Sequence, residues 1–256
     1  MISKIIILGT GNVATNFVCA LKGTDVKVAQ IYDRHIEKAG KLAKEINAEA
    51  ISSIKDIDTD IDACFFMLSD TGIIETVGQM KKNNKILVHT AGSLSMNIFK
   101  SKTDNFGVFY PFQTFTKEMP IDFSNVPACL EASNRATFNF LKEIAEKLKC
   151  KVYEINEEKR QYLHLSGVFA CNFMNHCIFL GNKVLEDHGI DREIIKPLLE
   201  QSFKKILAIG AEKSQTGPAK RNDKVIIDKH LELLKDDKRM SDIYKILTES
   251  IMNFNI

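Results

Sequence analysis

Two glycines and a carboxylate are the first residues whose spacing could do chemistry. The apolar run Ile5-Ile6-Ile7-Leu8 stops at Gly9-Thr10-Gly11, and Asn12-Val13-Ala14 opens an amphipathic stretch that ends near Leu21. This is the order of strand, tight turn and helix start in a dinucleotide-binding unit. There the free N–H groups and positive end of a helix hold a pyrophosphate. Gly9 permits the sharp turn, and Gly11 lets the anion approach the backbone. Ala14 takes the place of a third glycine and is still small. A second apolar run, Val26 to Tyr32, ends in Asp33-Arg34. A carboxylate roughly 20 residues beyond the glycines suits a ribose diol. The neighbouring guanidinium could instead pair with a 2′-phosphate or stack on adenine. NAD and NADP therefore both stay open as cofactor.

Two further apolar runs end in small or polar residues, at Leu68-Ser69-Asp70 and at His89-Thr90-Ala91-Gly92. Ligands of open α/β sheets bind outside the carboxyl ends of the strands, so these ends are expected to join the glycine loop along one edge. Leu68, Ser69, Asp70, Thr90, Ala91 and Gly92 thus become candidate cofactor contacts beside Gly9, Thr10, Gly11, Asn12, Val13, Asp33 and Arg34.

Candidate catalytic residues lie later in the chain. His164, Cys171, Asn172 and Asn175 fall within about 100° of one another at 3.6 residues per turn, on an otherwise apolar segment. Burying two amides and an imidazole costs stability unless each finds a partner. A substrate cleft and a satisfied interhelical network both answer that need. Asp223 and His230 sit near the centre of another apolar stripe, so each is expected to meet a neighbouring helix or a ligand, with Arg221 on the opposite side. The histidines have no H-E-x-x-H spacing, and no metal is expected.

These residues need elements to hold them. Strand and helix patterns alternate to about residue 155, which argues a parallel, doubly wound sheet. From Glu157 onward only helical periodicity remains. One helix is expected from Glu157 to Asp187, with its apolar middle buried. Others are expected from Asp191 to Lys213, from Thr216-Gly217-Pro218 onward, and from Ser241 to Met252. The boundary between the two parts falls near Ile155, giving domains at 1–155 and 156–256. The chain has 256 residues, 45% hydrophobic and 27% charged, with a net charge of +2. That balance gives no electrostatic reason to expect nucleic acid or an anionic membrane. Six cysteines without a C-x-x-C pair suggest reduced packing residues in a cytoplasmic protein. The polar residues His164, Asn172, Asn175, His176, Asn182 and Lys183 interrupt the long apolar helix and argue against a membrane span.

Five motifs together resemble a largely uncharacterised bacterial family. They are Gly9-Thr10-Gly11-Asn12-Val13-Ala14, His89-Thr90-Ala91-Gly92-Ser93, Tyr110-Pro111-Phe112-Gln113-Thr114-Phe115, the stretch from Leu163 to Phe173, and Gln215 to Asp223. Members combine a Rossmann-like domain with a helical domain of unassigned function, and are commonly labelled deazaflavin-type NADP oxidoreductases. The chain is more distantly similar to pyrroline-5-carboxylate reductase and the β-hydroxyacid dehydrogenases. The resemblance implies a mostly parallel Rossmann-like sheet followed by an all-α domain like that of 6-phosphogluconate dehydrogenase, which also dimerises. It departs at one point. The β-hydroxyacid dehydrogenases place a lysine four residues before an asparagine on the first long helix, and here Cys171 stands four before Asn175. The reading is then an NAD(P)-dependent oxidoreductase acting on a small carbonyl, imine or hydroxy substrate. His164 would move the proton, with Asn172, Asn175 and Asp223 in the site. A nucleotide-binding regulatory protein without turnover is the alternative. A homodimer through the helical half is expected, because three further helices would not cover so apolar a long helix.

Overall fold

A computed structural model describes residues 3–254. The short apolar runs pair into an eight-stranded sheet in the order β3-β2-β1-β4-β5-β6-β7-β8. The strands are β1 (Lys4–Leu8), β2 (Lys27–Tyr32), β3 (Glu49–Ile51), β4 (Ala63–Phe66), β5 (Ile86–His89), β6 (Phe106–Pro111), β7 (Pro127–Ala132) and β8 (Lys151–Glu154). The first six are mutually parallel, β7 runs antiparallel to β6, and β8 is parallel to β7. The strand order reverses between β1 and β4, so the crevice between their carboxyl ends is the switch point of a doubly wound sheet.

Period-two alternation divides the core between the two faces of this sheet. Ile5, Ile7 and Phe65 join one cluster; Ile6, Leu8 and Phe66 join the other. The first face is covered by α1 (Asn12–Leu21) and α4 (Arg135–Lys147). There Phe17 meets Phe65, Phe109 and Phe123 with ring centroids 5.5, 5.6 and 6.1 Å apart. The second face carries α3 (Asp70–Gln79), through Ile73 and Val77. A further helix, α2 (Ile36–Lys44), follows β2 and packs through Ala39, Leu42 and Ala43 on the first cluster.

The reversed β7 and β8 return the chain to the amino-terminal edge of β6. Helix α5 (Glu157–Gly167) starts there and climbs beside β6. Arg160 pairs with Glu131, whose register partner on β6 is Val108. His164 reaches Tyr110, and Gly167 packs against the Phe112 ring. From Arg160 to His164 four helical residues rise about 6 Å, and from Val108 to Tyr110 two strand residues rise about 6.6 Å, so these two contacts stay in step. Arg160 is fully buried. Its guanidinium binds the Glu131 carboxylate and donates to the Leu94 carbonyl at 2.7 Å. The other Glu131 oxygen accepts the Glu157 N–H at 3.1 Å, satisfying one of the free amides of the helix start.

Two compact units are present, Met1–Cys171 and Asn172–Ile256. The helical stretch 157–187 is continuous but not uniform. A π-helical segment, Val168–Phe173, lies between α5 and α6 (Met174–Asp187). The 3.6-residue period that puts His164, Cys171, Asn172 and Asn175 on one face therefore does not run through it. The expected burial of this stretch is also corrected: none of residues 161–187 is buried within the chain. By length and composition alone the stretch could cross a membrane. Past Asp191, a short 3-10 turn leads into α7 (Lys196–Ile209), which stops at Gly210 with φ +85°, and α8 is only Ala211–Ser214. The helix expected from Pro218 starts later, as α9 (Lys224–Leu233), and α10 (Lys238–Asn253) follows. Pro218 to Asn222 instead make a turn in which Asn222 adopts φ +52°.

A buried arginine left with an orphaned partner is destabilising, and so is the converse. Arg160→Ala is expected to lower unfolding free energy by about 3–5 kcal/mol. Urea denaturation followed by circular dichroism checks this, and a loss below about 1 kcal/mol, the ceiling for exposed pairs, would contradict it.

Candidate functional site

The parallel strands β1, β2, β4 and β5 deliver the four polar ends to one edge. Gly9 has φ +123°, and its N–H bonds the Tyr32 carbonyl at 2.8 Å. A Cβ there would lie 2.3 Å from the Met67 carbonyl oxygen, so only glycine fits. A Cβ on Gly11 would meet nothing within 4 Å, and Gly11 N-caps α1 without a side-chain hydrogen bond. The start of α1 thus presents backbone N–H groups, from Asn12 and Val13 onward, beside open space. Ala14 is fully buried, as close helix–strand packing requires.

Hydrogen bonds tie neighbouring strand ends together. Thr10 donates its hydroxyl proton to Asp33 at 2.6 Å, and the His35 N–H bonds the other Asp33 oxygen at 2.9 Å. Arg34 is exposed beside them. Ser69 caps α3 through the Gly72 N–H, and Ser93 donates to Asp70 at 2.7 Å. The last contact joins the start of α3 to the loop after β5.

Past His89, the loop Thr90–Ser95 is gripped by α5. Arg160 holds the Leu94 carbonyl, Ser95 donates to Glu157, and the His164 ring lies against Gly92. A Cβ on Gly92 would come within 2.7 Å of the His164 ring. Tyr110 Oη and His164 Nδ1 are 3.1 Å apart. Desolvation pushes the Tyr110 phenol up to about 12, so it keeps its proton. His89 is fully buried, and its Nδ1 accepts the Ala91 N–H at 3.2 Å. Burial, with the Arg160 charge next, pushes its pKa down to about 3.

His164 and the thirteen expected cofactor contacts all lie in the unit Met1–Cys171. Asn172, Asn175 and Asp223 lie in the other. Asn172 and Asn175 are exposed rather than buried. The expected partner of Asp223 is corrected: its carboxylate caps α9 by accepting the Ile226 N–H at 3.3 Å. It sits ahead of the helix rather than on its stripe, because the helix begins six residues after Pro218. His230 does meet a neighbouring helix, through Tyr244 Oη at 2.8 Å. Arg221 is exposed. Sequence reasoning missed Tyr110, Arg160 and Asn16. Tyr110 stands in a quoted motif without an assigned role. The signal for Asn16 was a polar residue on the buried face of α1. It donates to the Thr116 carbonyl at 2.9 Å and accepts the Ile121 N–H at 3.1 Å, pinning the loop after β6 to that helix.

Two family models match different parts of the chain. The model of a domain of unknown function, DUF2520, matches residues 126–251, and the shikimate/quinate 5-dehydrogenase model matches residues 2–98. No curated protein matches the chain. A solved structure from Bacteroides fragilis, described as a "putative NADP oxidoreductase", is 34% identical, with 98% of each chain covered and a TM-score of 0.92. Two more distant structures share the fold. The 1-pyrroline-5-carboxylate reductase of Streptococcus pyogenes is 14% identical over 98% of each chain, with a TM-score of 0.63. The imine reductase of Myxococcus stipitatus, solved with NADP+, is 14% identical over 98% of this chain and 92% of its own, with a TM-score of 0.64.

His89 also gives this edge a pH dependence. The folded imidazole stays neutral down to about pH 3, whereas its ordinary value is 6.5. Between those values the unfolded chain binds a proton that the folded chain does not. Stability therefore falls as pH drops through this window, by up to about 1.4 kcal/mol per pH unit. His89→Leu removes that contribution. Urea midpoints at neutral pH and near pH 4.5 are expected to differ less in the variant than in the wild type. Equal pH dependence in both would contradict the assignment.

Proposed function

Because the chain belongs to the family that joins a Rossmann-like unit to a DUF2520 helical region, we propose that it is an NAD(P)-dependent oxidoreductase acting on a small carbonyl, imine or hydroxy compound. The observation that carries this reading is the shared carboxyl edge. A glycine loop with room for an anion stands at β1, and His164 stands over the loop after β5. The name of the Bacteroides fragilis relative favours NADP.

The residues present suit such a cofactor. Gly9, Gly11 and the start of α1 would hold the pyrophosphate, with Thr10, Asn12 and Val13 around it. The adenosine half would lie toward β2. There Asp33 is already engaged by Thr10 and His35, and the exposed Arg34 would meet a 2′-phosphate. Leu68, Ser69, Asp70, Thr90, Ala91 and Gly92 would line the nicotinamide half. Bound there, the nicotinamide supplies or accepts a hydride. His164 would deliver or take the accompanying proton.

The polypeptide would work as a cytoplasmic homodimer through its helical half. The six cysteines are free. Phe179, Leu198, Leu207, Leu233 and Ile246 are each more than half exposed, a large apolar area for one chain. A two-fold contact is the commonest way to cover such a surface. Light scattering is expected to give twice the 28.9 kDa chain mass. A monomer at micromolar concentration would remove this part of the reading.

Titration with NADPH and NADH, followed by nicotinamide fluorescence, tests the cofactor. NADPH is expected to bind, and Arg34→Ala is expected to weaken it about tenfold, or roughly 1.4 kcal/mol, with NADH little changed. Failure of both dinucleotides to bind at millimolar concentration would overturn the oxidoreductase reading. Binding with no turnover on ketoacids, imines or hydroxyacids would favour the regulatory alternative.

A further inference from the structure

Tyr110 and His164 meet where the loop after β5 is tightest. The Tyr110 ring is half-buried on β6, and its hydroxyl lies 3.1 Å from His164 Nδ1. The two rings stand nearly edge to face, at 71° with centroids 6.1 Å apart. Gly92 closes the other side of the imidazole so tightly that no Cβ fits. One neighbour thus limits the ring's swing, and the other selects which nitrogen is used.

The chemistry of that contact is directional. The phenol keeps its proton, because desolvation pushes Tyr110 up to about 12. A desolvated hydroxyl proton is costly to leave without an acceptor. A neutral imidazole has one donor nitrogen and one acceptor nitrogen. Where Tyr110 donates to Nδ1, the proton of the ring must sit on Nε2. His164 itself is exposed, so Nε2–H is the polar atom it can offer a ligand.

We propose that Tyr110 is a positioning residue that locks His164 in the Nε2–H tautomer, making the site a hydrogen-bond donor to a carbonyl oxygen or imine nitrogen. This deepens the oxidoreductase reading and rests on it for the identity of the ligand. It suits the site to substrates that bring an acceptor, the form a reduction begins from; transfer of the Nε2 proton is balanced by uptake of a proton from water at the exposed ring. A hydroxyl or amine that must first give a proton to Nε2 is the poorer fit. Tyr110 does not touch the substrate in this scheme; it acts through His164.

Long-range 15N–1H correlation NMR of the uniformly labelled full chain tests the tautomer, with the His164 signals assigned by their loss in His164→Gln. The expected wild-type result is the neutral Nε2–H pattern at His164. In Tyr110→Phe that single pattern is expected to give way to a mixture of both tautomers, while NADPH affinity stays within twofold. A wild-type His164 that carries its proton on Nδ1, or divides it between the nitrogens, would overturn the proposal. So would an unchanged pattern in Tyr110→Phe. If that variant does not fold, the wild-type spectrum alone decides. Loss of NADPH binding in the wild type would remove the oxidoreductase reading and leave the tautomer result standing, so the two failures are distinguishable.

Discussion

The ion pair between Glu131 and Arg160 is the contact on which the candidate site depends. Its two members come from a strand and from the helix that climbs beside that strand's neighbour. Glu131 also receives the first amide of α5, and Arg160 also holds the carbonyl of Leu94. One carboxylate and one guanidinium thereby fix the start of the helix, its distance from the sheet and the path of the loop after β5. A buried pair of this kind contributes little net free energy when replaced as a unit, and its members are costly to remove singly. Its value here is geometric. It sets the height at which His164 meets Tyr110 and Gly92.

Much of the sheet was legible because its strands are short apolar runs that stop at turn residues. Ile5 to Leu8, Ala63 to Phe66 and Ile86 to His89 need both faces covered, and a parallel sheet does that. The carboxyl-edge cluster followed from the topology rule alone. Tyr110 was not legible as a site residue. Its partner is 54 positions away, and nothing in a strand pattern says which distant helix will cross it. Arg160 escaped for the same reason, since a lone arginine near a helix start normally stays in water.

The helical half was legible as helix and misjudged in its details. Periodicity alone placed Asp223 on an apolar stripe, whereas a turn with Asn222 at positive φ delays the helix and turns the carboxylate into its cap. The even 3.6-residue count across positions 164 to 175 fails at the π-helical segment. Wider turns of this kind are seldom predictable from residue type and are frequent at functional sites. The expectation that an apolar helix is buried assumed that one chain supplies its own cover, whereas none of residues 161–187 is buried within this chain.

The reversed strand β7 has a consequence for how this architecture tolerates change. Had β7 and β8 continued in the direction of β6, α5 would leave the sheet at its carboxyl edge and His164 would end about 10 Å beyond it. The reversal sends the helix off from the far side, so its third turn arrives at the edge instead of departing from it. The short connection Ile155-Asn156 then works like the zero mark of a ruler. One residue inserted between Glu157 and His164 would advance His164 by about 1.5 Å and rotate it by about 100°. Length variation is therefore expected in the loops beyond β2, β4 and β6, while the spacing from Glu157 to His164 stays constant.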